Sequence, residues 1–81
     1  MSFQPAQSRA ARALLGWSQG ELSAAAGVAR ATIAEFEGGR RMPISNNLQA
    51  IRTALESAGV QFVGAGETAE GPGVVLRDSE R

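Results

Sequence analysis

Residues 18–37 constrain this chain more than any other stretch: Ser-Gln-Gly-Glu-Leu-Ser-Ala-Ala-Ala-Gly-Val-Ala-Arg-Ala-Thr-Ile-Ala-Glu-Phe-Glu. They read as two short helices joined by a tight turn at Gly27. Ser18 followed three residues on by Glu21 is a capping box, in which each side chain satisfies the other's free backbone N–H. Trp17 ahead of the cap and Leu22 at the fourth helical position form a hydrophobic staple that fixes the angle at which the chain enters the helix. Val28 and Ile33 repeat the staple across the start of the next helix, predicted over residues 30–37. Its cap position holds Ala29, which has no side-chain acceptor. Leu22, Ala26, Val28, Ile33 and Phe36 fall where such a pair interlocks. A rigid helix pair whose second member has a polar outer face is the usual device for placing side chains in a DNA major groove.

The flanking sequence extends the helical pattern. Residues 1–4 read as a loose arm. Pro5 suits a first helical turn, where its missing N–H costs nothing, and residues 5–15 are rich in good helix formers. Ala10, Ala13 and Leu14 form their apolar stripe, with Arg9 and Arg12 at its edge. Gly16 ends this helix with positive φ. After Gly38 and Gly39 comes a loop, Arg40-Arg41-Met42-Pro43-Ile44. Ser45 is the expected cap of a fourth helix carrying Leu48, Ile51, Leu55 and Ala58 on one face. Gly59 ends it, with Val60 folding back on Leu55. Beyond it, Val60–Val63 and Val74–Leu76 are β-prone runs either side of a Gly-, Glu- and Pro-containing connection. A lone hairpin is marginal in water, so these strands must pack on the helices or pair with another subunit. The expected fold is mainly α: four helices followed by a short two-stranded β-hairpin. A helical domain spans residues 5–59, a β-prone extension 60–77, and a disordered tail 78–81.

Eighty-one residues allow one small domain. No apolar run is long enough for a membrane span, and no secretory signal opens the sequence. With neither cysteine nor histidine, thiolate and imidazole metal sites lose their ligands, and imidazole acid–base catalysis loses its residue. No paired carboxylates, nucleophile–base pair or phosphate loop stands out, so no enzyme, cofactor, metal or small-molecule ligand is expected. The formal net charge is zero, but it is segregated. Residues 1–55 hold six arginines (9, 12, 30, 40, 41, 52) against three glutamates (21, 35, 37), and residues 56–81 hold two arginines against five acids. A local basic face, not net charge, is what phosphate attraction requires.

Arg9, Arg12, Gly16-Trp17-Ser18-Gln19, Leu22, Gly27-Val28, Ile33, Phe36-Glu37, Gly39, Arg41 and Pro43 together resemble the Xre/Cro–phage-repressor family of helix-turn-helix regulators. The resemblance runs from about residue 9 to residue 58. It implies a four-helix repressor-like fold with the third helix in the major groove. Arg30, Ala31, Thr32 and Glu35 would then face base edges, where Arg bridges guanine, Ala packs on a thymine methyl and Glu accepts from cytosine. Gln19, at the start of the second helix, would reach a phosphate beside free backbone N–H groups. Arg40, Arg41, Ser45, Asn46 and Asn47 are further phosphate candidates. Family members pair the residues matching Arg12 and Glu37 as a structural ion pair. Two features depart from the family: Ala29 replaces a common Ser or Thr, and the β-prone tail stands where many members have a fifth helix. Phe62, Val74 and Leu76 are assigned to a dimer interface, the alternative being the chain's own core.

The resemblance therefore implies a cytoplasmic, nucleoid-associated DNA-binding regulator, a homodimeric repressor on an inverted repeat. The neutral overall charge and acidic C-terminal third leave one alternative, an antitoxin-like or anti-activator protein-interaction module on the same scaffold.

Overall fold

The computed structural model describes residues 3–63 and 73–76. Four helices, α1 (Pro5–Leu15), α2 (Gln19–Ala26), α3 (Arg30–Glu37) and α4 (Ser45–Ser57), precede two strands, β1 (Val60–Val63) and β2 (Gly73–Leu76). The tail 78–81 and the side chain of Leu76 lie outside the described residues.

Local chemistry sets the helix ends. The Ser18 backbone N–H donates to Glu21 Oε1 at 2.7 Å, and the Glu21 backbone N–H donates to Ser18 Oγ at 3.0 Å, closing the expected capping box. Gly27 adopts φ 68°, the left-handed conformation that glycine takes without a Cβ clash. The Ser23 hydroxyl then donates to the Val28 carbonyl at 2.6 Å and ties the turn shut. Ala29 occupies the cap position of α3 with no side-chain hydrogen bond. At α4 the cap position belongs to Ile44, and Ser45 is the first helical residue. The cap expected of Ser45 is therefore not made; the serine sits one position inside the helix, where its hydroxyl is exposed.

Leu22, Ile33, Phe36, Ile51, Leu55 and Val60 are fully or almost fully buried and form the core with Phe3, Ala11, Val28 and Phe62. Two expectations fail here. Residues 1–4 are not all a loose arm, because Phe3 is buried, its ring 5.5 Å from Phe36 and 4.8 Å, edge-on, from Phe62. The gain from three rings meeting exceeds the cost of ordering a chain end. The apolar stripe of α1 is also not its inner face. Ala10, Ala13 and Leu14 are exposed, and the buried face is Gln7, Ser8 and Ala11. The reason is polar: Ser8 donates to the buried Glu37 carboxylate and Gln7 to the Gly73 carbonyl, so this face must carry donors.

The strands pair antiparallel with Val60 opposite Leu76 and Phe62 opposite Val74. β1 lies against α4 and β2 against α1. Val60 and Phe62 point into the core while Gln61 between them is exposed, the alternation of a half-buried strand. The Gln7 side-chain amide donates to the Gly73 carbonyl at 3.0 Å, and the Arg52 guanidinium lies 5.4 Å from the Phe62 ring centroid. The hairpin thus persists by packing on its own helices. Phe62, expected at a dimer interface, fills the monomer's core instead, and Val74 is partly buried against it.

Candidate nucleic-acid interface

α3 is held from behind and open in front. Ile33, Phe36 and Glu37 are its buried residues. Arg30 and Ala31 are exposed, and Thr32 and Glu35 are half-buried. The backbone N–H groups of Arg40 and Arg41 donate to the Glu35 carbonyl at 2.9 and 3.3 Å, folding the loop back over the end of α3. Arg40 and Arg41 remain exposed there, as do Ser45 and Asn46, while Asn47 is half-buried. Thr32, Glu35, Arg41 and Asn47 line one open concavity of about 210 Å³ with Met42, Pro43 and Ile44. α3, the loop and the start of α4 therefore present a single face. Across it Arg41 Nε stands 3.9 Å from Glu35 Oε1, with the Arg41 side chain 75% and the Glu35 side chain 44% exposed, an arrangement worth little in water.

Behind that face Glu37 is a hub. Its side chain is only 1% exposed. Arg12 grips the carboxylate with Nε at 3.0 and 2.9 Å from the two oxygens and Nη2 at 2.7 Å from Oε1. Ser8 Oγ donates to Oε2 at 2.6 Å, and Gln19 Nε2 donates to Oε1 at 3.1 Å. Arg9 donates to the Glu37 backbone carbonyl, and Arg12 Nη1 donates to the Trp17 carbonyl at 3.0 Å. Burial alone would raise the Glu37 carboxyl. Hydrogen bonds from Arg12, Ser8 and Gln19, with the Arg12 charge, outweigh it and hold the carboxyl below its ordinary value. α1 and α2 are thereby tied to the last residue of α3.

Gln19 accordingly sits differently from its expected phosphate-facing pose. Its amide nitrogen is turned toward Glu37, which uses one of two N–H donors and leaves the other for a ligand. Ser8 and Arg9 belong to this hub although the sequence did not single them out as site residues. The signal was there: Ser8 and Arg12 are four apart, on one helical face, and a polar pair on a buried face implies a buried partner. Among the described residues no helix is long and apolar enough to cross a membrane, and no acidic cluster is placed to hold a metal.

A two-helix unit with a tight glycine turn, an open polar face on its second member and a basic loop beside it defines a DNA-binding helix-turn-helix domain. A helix-turn-helix family model matches residues 9–58, more than half the chain, and the chain belongs to that family, the Xre/Cro/CI-type regulators. No curated protein matches the chain.

Proposed function

We propose that this DNA-binding regulator is a sequence-specific transcriptional repressor that acts as a homodimer on an inverted-repeat operator in the cytoplasm. The observation that carries the reading is the two-sidedness of α3: an open outer face with Arg30 and Ala31 exposed, and a far end fixed by the Glu37 hub. In this reading Arg30 bridges guanine O6 and N7, Ala31 packs on a thymine methyl, Glu35 accepts from cytosine N4, and Thr32 adds a base or phosphate contact. Arg40, Arg41, Ser45, Asn46 and Asn47 hold phosphates, joined by the free N–H of Gln19 at the start of α2. Two such faces one helical turn apart read a palindrome. The dimer forms through the C-terminal strands, whose exposed side chains among those described are Gln61 and Val75, the latter 47% exposed. Repression follows from occupying a site polymerase needs.

The test is a binding titration on duplexes selected from a random pool, run at two salt concentrations. Arg30→Ala loses about 1–3 kcal/mol of discrimination at one base position. Arg40→Ala weakens every duplex alike and reduces the salt slope by about 1. Light scattering on Val75→Asp shows monomer if the strands form the interface. Absence of binding to any duplex at low salt overturns the reading in favour of a protein-interaction module.

A further inference from the structure

The two most exposed large apolar side chains among the described residues are Ile44, 69% exposed, and Met42, 60%. Scattered apolar residues on a surface need no explanation, but these two stand either side of Pro43 and all three wall the concavity shared with Thr32, Glu35, Arg41 and Asn47. We infer that Met42 and Ile44 are DNA-contact residues. They form an apolar ridge that packs on the apolar edge of the duplex, deoxyribose and thymine C5-methyl, beside the bases α3 reads. The inference rests on the DNA-binding reading and adds to it a component that does not depend on salt.

Position and charge choose the occupant. The ridge lies between Arg40 and Arg41 on one side and Ser45, Asn46 and Asn47 on the other, so it is continuous with both phosphate-holding sets. Sugars lie between phosphates in the same way along a strand. Arg40 and Arg41 are exposed at the ridge, and the acid lining the concavity, Glu35, already faces Arg41 at 3.9 Å. A second copy seated on the ridge by a two-fold axis would bring its own arginine pair against this one. A polyanion meets no such repulsion. Pro43 fixes its own φ and stiffens the ridge, and the flexible thioether of Met42 adapts to an irregular surface.

The test uses the full chain and a labelled duplex selected by it from a random pool, with each thymine in turn replaced by uracil, which lacks the methyl. The double variant Met42→Ala/Ile44→Ala weakens binding by about tenfold or more. The slope of log affinity against log salt is unchanged, because no counterion contact is lost. Melting temperature and self-association stay as in the wild type. If the ridge meets a thymine methyl, one uracil duplex weakens the wild type and not the variant; if it meets sugar, no uracil duplex does, and the variant is weaker on every duplex. Unchanged affinity overturns the inference while leaving the DNA-binding reading intact. Loss that follows loss of self-association assigns the ridge to a second copy and also overturns it. Wild-type protein that binds no duplex removes both.

Discussion

Replacing Arg12 by alanine leaves a carboxylate stranded. The Glu37 side chain is 1% exposed, and among the described residues Arg12 is the only charged donor to it. Without Arg12, only the neutral donors of Ser8 and Gln19 remain. Removing one member of a buried pair costs about 3–5 kcal/mol; Arg12 itself keeps 19% exposure, which places the expected loss near the lower figure. At roughly 0.05–0.15 kcal/mol per residue, a domain of this length has about 4–12 kcal/mol in all, so the variant is marginal and is best measured by urea unfolding near 15 °C. Wild-type Glu37 has its carboxyl lowered from 4.5, so its contribution is complete above the unfolded value and is lost as pH falls through the folded one. In Arg12→Ala burial loses its main counterweight and the carboxyl rises. Acid then protonates a buried, poorly paired charge, and the fall in stability on acidification flattens or changes sign. Arg12→Met combined with Glu37→Leu recovers most of the loss, because no charge remains to be buried. A cost below about 1 kcal/mol for Arg12→Ala, or an acid limb identical to wild type, would refute the hub.

Four further substitutions test the rest of the fold. Phe3→Ala removes a ring that touches Phe36 and Phe62 and lowers stability by about 3 kcal/mol in urea; a loose arm would show no change. Ala29→Ser, at φ −57° and ψ 140°, supplies the missing cap of α3, and scanning calorimetry should show a gain of about 1 kcal/mol. Gly27→Ala and Gly20→Ala should differ in sign. An added Cβ at Gly27 meets nothing within 4 Å but φ is +68°, so the backbone alone costs about 1 kcal/mol. At Gly20 a Cβ lies 3.6 Å from Ser18 Oγ, an ordinary contact, and better helix propensity stabilises by roughly 0.5–1 kcal/mol.

The helix-turn-helix was legible because its signals are local. Ser18 and Glu21, the turn at Gly27, and the span of α3 each depend on a few neighbouring residues whose backbone chemistry admits one solution. What sequence patterning missed was set at a distance. α1 hides Gln7 and Ser8 rather than its stripe of Ala10, Ala13 and Leu14 because distant acceptors need donors: the Glu37 carboxylate takes Ser8 and the Gly73 carbonyl takes Gln7. Gln19 turns toward that same carboxylate. Phe3 is ordered by rings contributed from positions 36 and 62, and Phe62 serves the core because β1 has helices to lie on. Hydrophobic periodicity counts apolar residues and is blind to a polar face that is buried for a reason.

The consequence for the interface is an unequal hold on α3. Eight residues are too few for a helix that stands alone in water, so its geometry is borrowed entirely from packing. That packing is concentrated at its centre and far end, in Ile33, Phe36 and the hub around Glu37. Its start has no cap at Ala29, and this is where Arg30 and Ala31 are exposed. Glu37, the anchor, and Arg30 are seven apart, about two turns or 10 Å. In the proposed reading, a rigid base with a lightly held tip lets Arg30 adjust to the base edge it meets, while the crossing of α2 and α3 and the direction of approach stay fixed. The same asymmetry explains why a net-neutral chain can still bind a polyanion. The one acid of α3 that is buried, Glu37, is neutralised within the fold by Arg12, and Glu35 is faced by Arg41. What α3 and its loop then show to solvent is a net positive charge, Arg30, Arg40 and Arg41 against Glu35.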